Sequence, residues 1–134
     1  MKIEDLVPDR EICQEAKEKG VVIESEYYWF QWEGDKNNGL RWDIRIGKNV
    51  DYDGTLPNFV KQECPAPLTD EILLILPAVI PDGVEPYILT IVKVTNGYAV
   101  MYYNGKSNLY RFENKKLSNA LLLLAIKLKS EGII

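Results

Sequence analysis

Histidine is absent from this 134-residue chain. With it go the commonest general base, the commonest metal ligand and every nucleophile–imidazole triad. Any catalysis would have to rest on carboxylates, lysine, tyrosine or a bound metal. Cysteine is nearly as scarce. Cys13 and Cys64 fall on different predicted elements and share no C-x-x-C spacing, which speaks against a metal site or a secreted disulfide framework and for two reduced thiols. No cofactor and no resident metal are expected.

Long apolar runs are missing as well. The longest, Ala120 to Ile126, is too short to span a bilayer, and acidic residues in MKIEDLVPDREICQ interrupt the apolar stretch that a signal peptide requires. A cytoplasmic location without a membrane partner is expected. Positive charge is not in excess: the formal net charge is −4, so nothing attracts phosphate backbones in general, and nucleic acid is not an expected partner.

What is present is ordinary globular material. Hydrophobic residues make up 46% and charged residues 27% of the chain, well outside the range where chains stay disordered. The length fits one domain over residues 1–134, of α+β class, with a core of useful size.

VPDREICQEAKEKG places Pro8 and Asp9 at a helix start and Gly20 at its end. Its apolar face is thin, so this helix packs on the surface of something larger. That larger body begins with EYYWFQWEGDKNNGLRWDI, residues 26–44. Leu40, Trp42, Ile44 and Ile46 alternate with Arg41, Asp43 and Arg45, the period of a strand with one wet face. Before them, Tyr27 and Trp29 point one way and Tyr28, Phe30 and Trp32 the other. GDKNNG between the two runs is turn chemistry, and the pair reads as a hairpin. If Glu33 pairs with Leu40, Tyr28, Phe30 and Trp32 share a face with the arginines; if it pairs with Gly39, Tyr27 and Trp29 do.

Residues 47–67 are irregular, with a short strand expected near Asn58 to Gln62. Thr69 is expected to cap a helix over DEILLIL that stops near Pro77. YILTIVKVT and YAVMYYN flank Asn96-Gly97, the dipeptide that two-residue hairpin loops favour. Pairing Thr95 with Tyr98 puts Val92, Val94, Ala99 and Met101 on one face and Ile91, Val100 and Tyr102 on the other. NLYRFE reads as a further strand. LSNALLLLAIKLKSEGII is a helix whose apolar face, Leu117, Ala120, Leu121, Leu124, Ala125 and Leu128, is widened by Leu122, Leu123 and Ile126 until more than one side needs cover. Gly132 followed by Ile133 predicts a Schellman ending.

Three segments, ESEYYWFQW after the Gly-ended helix, APLTDEILLILP and LSNALLLLAIKLKSEGII, together resemble a family of small uncharacterised proteins encoded by phages and prophages of gut bacteria. The resemblance runs patchily over most of the chain and rests on architectural motifs. It implies a compact α/β sandwich of mobile-element origin and supplies no catalytic residues.

One string carries a chemical association. DYDGTL, Asp51 to Leu56, matches the D-x-D-G-T signature of haloacid-dehalogenase-type phosphatases, in which Asp51 would be the nucleophile and Asp53 the acid/base beside Mg²⁺. That chemistry needs a buried parallel strand before it, and GKNV is not one. Asp, Gly and Thr are turn residues, and the turn is the favoured reading. A calcium loop fails on ligand spacing. GKSN at 105–108 lacks the leading glycine and following helix of a phosphate loop.

These readings lead to an α+β fold: a mostly antiparallel sheet of two hairpins plus short strands, sandwiched or flanked by three helices. Because both hairpins are apolar on both faces, a non-enzymatic interaction or accessory protein that binds itself or another protein is expected. The alternative is a small-ligand or single-stranded nucleic-acid binder using the aromatic and arginine face of Tyr28, Phe30, Trp32, Arg41 and Arg45. A Mg²⁺-dependent phosphatase through DYDGT ranks third.

Overall fold

A computed structural model describes residues 2–33, 42–49 and 60–134, with the main chain alone for Glu33, Trp42, Asp43 and Ile44. Asp51, Asp53 and Arg41, and with them the DYDGTL motif, lie outside the described residues.

The fold is α+β with antiparallel pairing throughout, as the sequence predicts, but the two hairpins belong to two separate sheets. β1 (Tyr27–Glu33), β2 (Trp42–Lys48) and β3 (Val60–Pro65) form one sheet in the order β2-β1-β3. β4 (Val79–Ile80), β5 (Tyr87–Val94), β6 (Gly97–Tyr103) and β7 (Asn108–Asn114) form the other in chain order. Three helices, α1 (Arg10–Glu18), α2 (Thr69–Ile75) and α3 (Leu117–Ser130), tie them together. α3 packs on β6 and β7 while α1 and α2 pack on α3, and α1 also lies against β3.

α3 is the reason this arrangement closes. Leu121, Leu122, Leu124 and Leu128 are fully buried, with Ala120 and Ala125 between them, so the helix is covered on several sides, as its apolar girth requires. Each such leucine contributes about 1.5–3 kcal/mol by leaving water. Val100 and Tyr102 of β6, Cys64 of β3, Cys13 and Ala16 of α1 and Ile72 of α2 belong to the same buried cluster. Tyr102 donates its hydroxyl proton to the Pro77 carbonyl at 2.7 Å, so the one polar atom this ring brings into the core is satisfied.

Both long-helix endings follow from local sequence. Gly20 sits at φ 79° after α1, with the Val21 N–H bonded to the Ala16 carbonyl and the Gly20 N–H to that of Lys17. Gly132, at φ 75°, ends α3 by the same pair of bonds, Ile133 to Leu128 and Gly132 to Lys129. Both are Schellman motifs, and only glycine adopts that left-handed backbone without steric cost.

α2 departs by one residue from expectation. Leu68 occupies the cap position and Thr69 is already helical. Glu71 does the capping instead: one carboxylate oxygen accepts the Leu68 N–H at 2.8 Å and the other the Glu26 N–H at 2.9 Å, which fastens the approach to β1 onto the start of α2. Val79 and Ile80, between α2 and the second hairpin, pair with Ile88 and Tyr87 as β4.

The two hairpin registers are displaced in an instructive way. Glu33 pairs with Trp42 rather than Leu40 or Gly39. In the second hairpin Val94 pairs with Gly97, so the loop is Thr95-Asn96 and not Asn96-Gly97. Each displacement from the first expected register amounts to two residues, the side-chain period of a strand, so every expected face survives. Gly97 is required for a reason other than the turn. A Cβ there would collide with the Asn114 carbonyl and the Lys115 Cα, where β7 passes closely on its way to α3.

Candidate interaction surface

The register sets Tyr28, Phe30 and Trp32 opposite Gly47, Arg45 and Asp43, so these aromatics share a face with Arg45. The described side chains of this face are not equally open. Phe30 is only 5% exposed and is therefore withdrawn from any binding surface, a correction to the expected set. The Arg45 guanidinium lies 5.9 Å from the Trp32 ring centroid, covering the ring by cation–π contact. Tyr28 is half-buried and lines an open cleft of about 370 Å³ beside the end of α1, together with Lys17, Val22, Gln62, Glu63 and Pro65.

The charged groups of that cleft already hold the edge of β3. Cys64 pairs with Trp29 and Gln62 with Phe30, leaving Glu63 as the extra residue of a β-bulge. The Lys17 ammonium donates to the Glu63 carbonyl at 2.5 Å, and the Arg10 guanidinium to its carboxylate at 3.2 Å. α1 therefore closes this edge with two cations on one bulged residue.

A second polar cluster fastens the chain's start to α3. Asn119, buried, accepts the Asp9 N–H at 2.7 Å and donates to the Asp9 carboxylate at 3.0 Å, while Lys116 donates to the same carboxylate at 2.8 Å. Partial burial raises the Asp9 carboxyl, but the hydrogen bonds from Lys116 and Asn119 and the Lys116 charge outweigh it, and the net shift is downward. This cluster latches the approach to α1 onto the start of α3.

The thiols are inert for a stated reason. Burial and the neighbouring Cys64 push Cys13 up to about 12, and burial and the Glu63 carboxylate push Cys64 up to about 11. A thiol held so far above neutrality has almost no thiolate to act as nucleophile. Among the described residues, no three Asp, Glu or Cys side chains gather as metal ligands, and no helix is long and apolar enough to cross a membrane. GKSN is a turn, with Asn104 Oδ1 accepting the N–H groups of Lys106 and Ser107 at 2.9 and 2.8 Å.

The four-stranded sheet offers a different kind of surface. Ile80, Leu89, Val100, Tyr102 and Phe112 face the helices. Strand alternation sends Val79, Ile88, Val92 and Tyr103 to the opposite face, where no described helix packs, and these four are 44%, 54%, 41% and 40% exposed. Val79, Ile88 and Tyr103 stand directly side by side across β4, β5 and β6. Ile91, on the helix-facing side of β5, is also 42% exposed. β5 thus shows apolar side chains to water on both faces.

Reading the residues in order could have located this surface only by counting covers. Alternation places Val92 on the face it occupies in the fold, but a two-sided apolar hairpin does not say which side the Leu-rich helix takes. Comparison with protein-family models, curated proteins and solved structures finds no match to the chain.

Proposed function

We propose that this protein is a non-enzymatic, self-associating interaction protein, of the phage or prophage accessory type that its sequence resembles. The observation that supports the reading is the apolar exposure centred on β5: Ile88 and Val92 on one face, Ile91 on the other, with Val79 and Tyr103 alongside. Contiguous apolar side chains left in water are what an interface looks like before its partner arrives. A second copy suits the electrostatics of this patch. The outer face of β4, β5 and β6 carries no charge, and its β7 border carries one Arg111–Glu113 ion pair at 3.1 Å, so two copies meet without opposing like charges. Among the described residues, both thiols are buried and the cations Lys17, Arg10 and Lys116 are engaged in bonds between elements.

The test is the mass in solution, by light scattering behind a sizing column, across a hundredfold range of concentration. A dimer or higher oligomer is expected. A monomer at every concentration overturns the reading and turns attention to ligands for the cleft beside Tyr28.

A further inference from the structure

The edges of the two sheets are not alike, and the difference locates the contact. β3 ends its sheet with a bulge and the Lys17 ammonium laid on it. β2 carries Arg45 and Lys48. β7 is interrupted where its register against β6 shifts, with Tyr110 at φ 55°, and it bears the Arg111–Glu113 pair. Bulges and edge charges are how proteins keep sheet edges from pairing with other chains.

β5 has neither device over its second half. Its register against β6 runs from Ile88 to Val94 without a shift, and β4 covers only Tyr87 and Ile88. The Leu89 N–H bonds to the Ala78 carbonyl, so Leu89 presents its main chain away from β6. By alternation Ile91 and Lys93 do the same, and no described strand lies beside them. The stretch Thr90–Val94 has no proline or glycine, four of its five residues are β-branched, and Lys93 is its one charge. That lysine does not guard the edge. Its ammonium donates to the Gly97 carbonyl at 3.2 Å and lies 4.7 Å from the Tyr98 ring centroid, drawn back over its own hairpin.

We infer that two copies join through β5, antiparallel, about a two-fold axis at Val92, making the four-stranded sheets one continuous sheet. This deepens the self-association reading and rests on it. The axis follows from the hydrogen-bonding parity. With Val92 opposite its symmetry mate, Ile91 of each copy faces Lys93 of the other, and these are the two residues whose main-chain groups are open. About four new ladder bonds form, Leu89 keeps its bond to Ala78, and Lys93 meets an isoleucine instead of another lysine. The two Val92 side chains meet on the outer face and shield each other.

Proline substitution separates this geometry from every other mode. The Ile91 N–H points out of the sheet, so Ile91→Pro removes an edge donor without removing a bond to β6. The expected result is a monomer with an unchanged circular dichroism spectrum and at least a tenfold rise in the dissociation constant, while Ile88→Glu, away from the axis, leaves the dimer intact. A dimer that survives Ile91→Pro overturns the edge geometry; if Ile88→Glu abolishes that dimer, self-association stands and uses the outer face instead. A wild-type monomer overturns both readings. Should Ile91→Pro fail to fold, amide hydrogen exchange in the wild type decides: Ile91 and Lys93 are expected to be protected at high concentration and to lose protection on dilution, and rapid exchange at all concentrations overturns the inference.

Discussion

At the edge of β3 a lysine from a neighbouring helix lies across the strand, Lys17 bonding to the bulged Glu63 carbonyl; at the edge of β5 the lysine belongs to the strand itself and turns away, Lys93 bonding inward to Gly97. Both edges therefore contain the residue type that commonly blocks strand addition, and only one uses it so. The position of the ammonium relative to the open main-chain groups decides protection, and composition alone does not. The faces of the four-stranded sheet differ in the same manner. Apolar residues occupy both, yet α3 covers one and leaves Ile88 and Val92 in water on the other.

The sharpest test of that contrast is truncation on each side. Leu124→Ala, inside the α3 cluster, should cost about 2–5 kcal/mol in a urea unfolding experiment, whereas Ile88→Ala on the open face should cost the monomer about 0.5 kcal/mol. Equal losses would mean that the outer face is packed after all. On the covered side, Tyr102→Phe strands the Pro77 carbonyl and should cost about 1–3 kcal/mol, measured by the same method.

Alkaline titration probes the covered side without mutation. Cys13, Cys64 and Tyr102 are raised by burial from 9.0, 9.0 and 10.0 to about 12, 11 and 12. The unfolded chain releases these protons first, so the stability they confer is complete below pH 9 and falls as pH rises from there towards the folded values. The thermal midpoint should drop over that window, and at pH 8 both thiols should react with a disulfide reagent only as fast as the protein opens. Asp9 works in the opposite sense. Its lowered carboxyl confers stability that is complete above its ordinary value of 3.8 and is lost as pH falls below it, and Asn119→Ala should shrink that acid-side contribution.

The smallest effect sharpens the edge comparison. Lys17→Met removes an exposed cation and should change monomer stability by less than about 1 kcal/mol. If the ammonium guards β3, however, the variant should show association that Ile91→Pro does not suppress.

The candidate surface was only partly legible beforehand. The sequence leaves two registers open for the aromatic and arginine pattern, and the observed one keeps the faces of the Leu40 alternative, from which it differs by a full strand period, with Phe30 interior and Trp32 beside Arg45. Alternation reports which residues share a side and says nothing about what covers it. The bulge at Glu63 and the Lys17 ammonium laid on it depend on contacts between elements far apart in the chain, for which local spacing has no signal, whereas the return of Lys93 onto Tyr98 is local and follows only once the hairpin register is known.

Local chemistry alone determined the helix endings at Gly20 and Gly132, the girth of α3, the strand faces and the absence of imidazole chemistry, because each depends on residues within a few positions of one another or on composition. The tertiary structure decided that the hairpins enter two sheets, that Glu71 caps α2 while holding the approach to β1, and that no described strand lies beside the second half of β5 on its side away from β6. Those outcomes turn on where one long apolar helix comes to rest. Only three-dimensional packing chooses which of several apolar faces it removes from water.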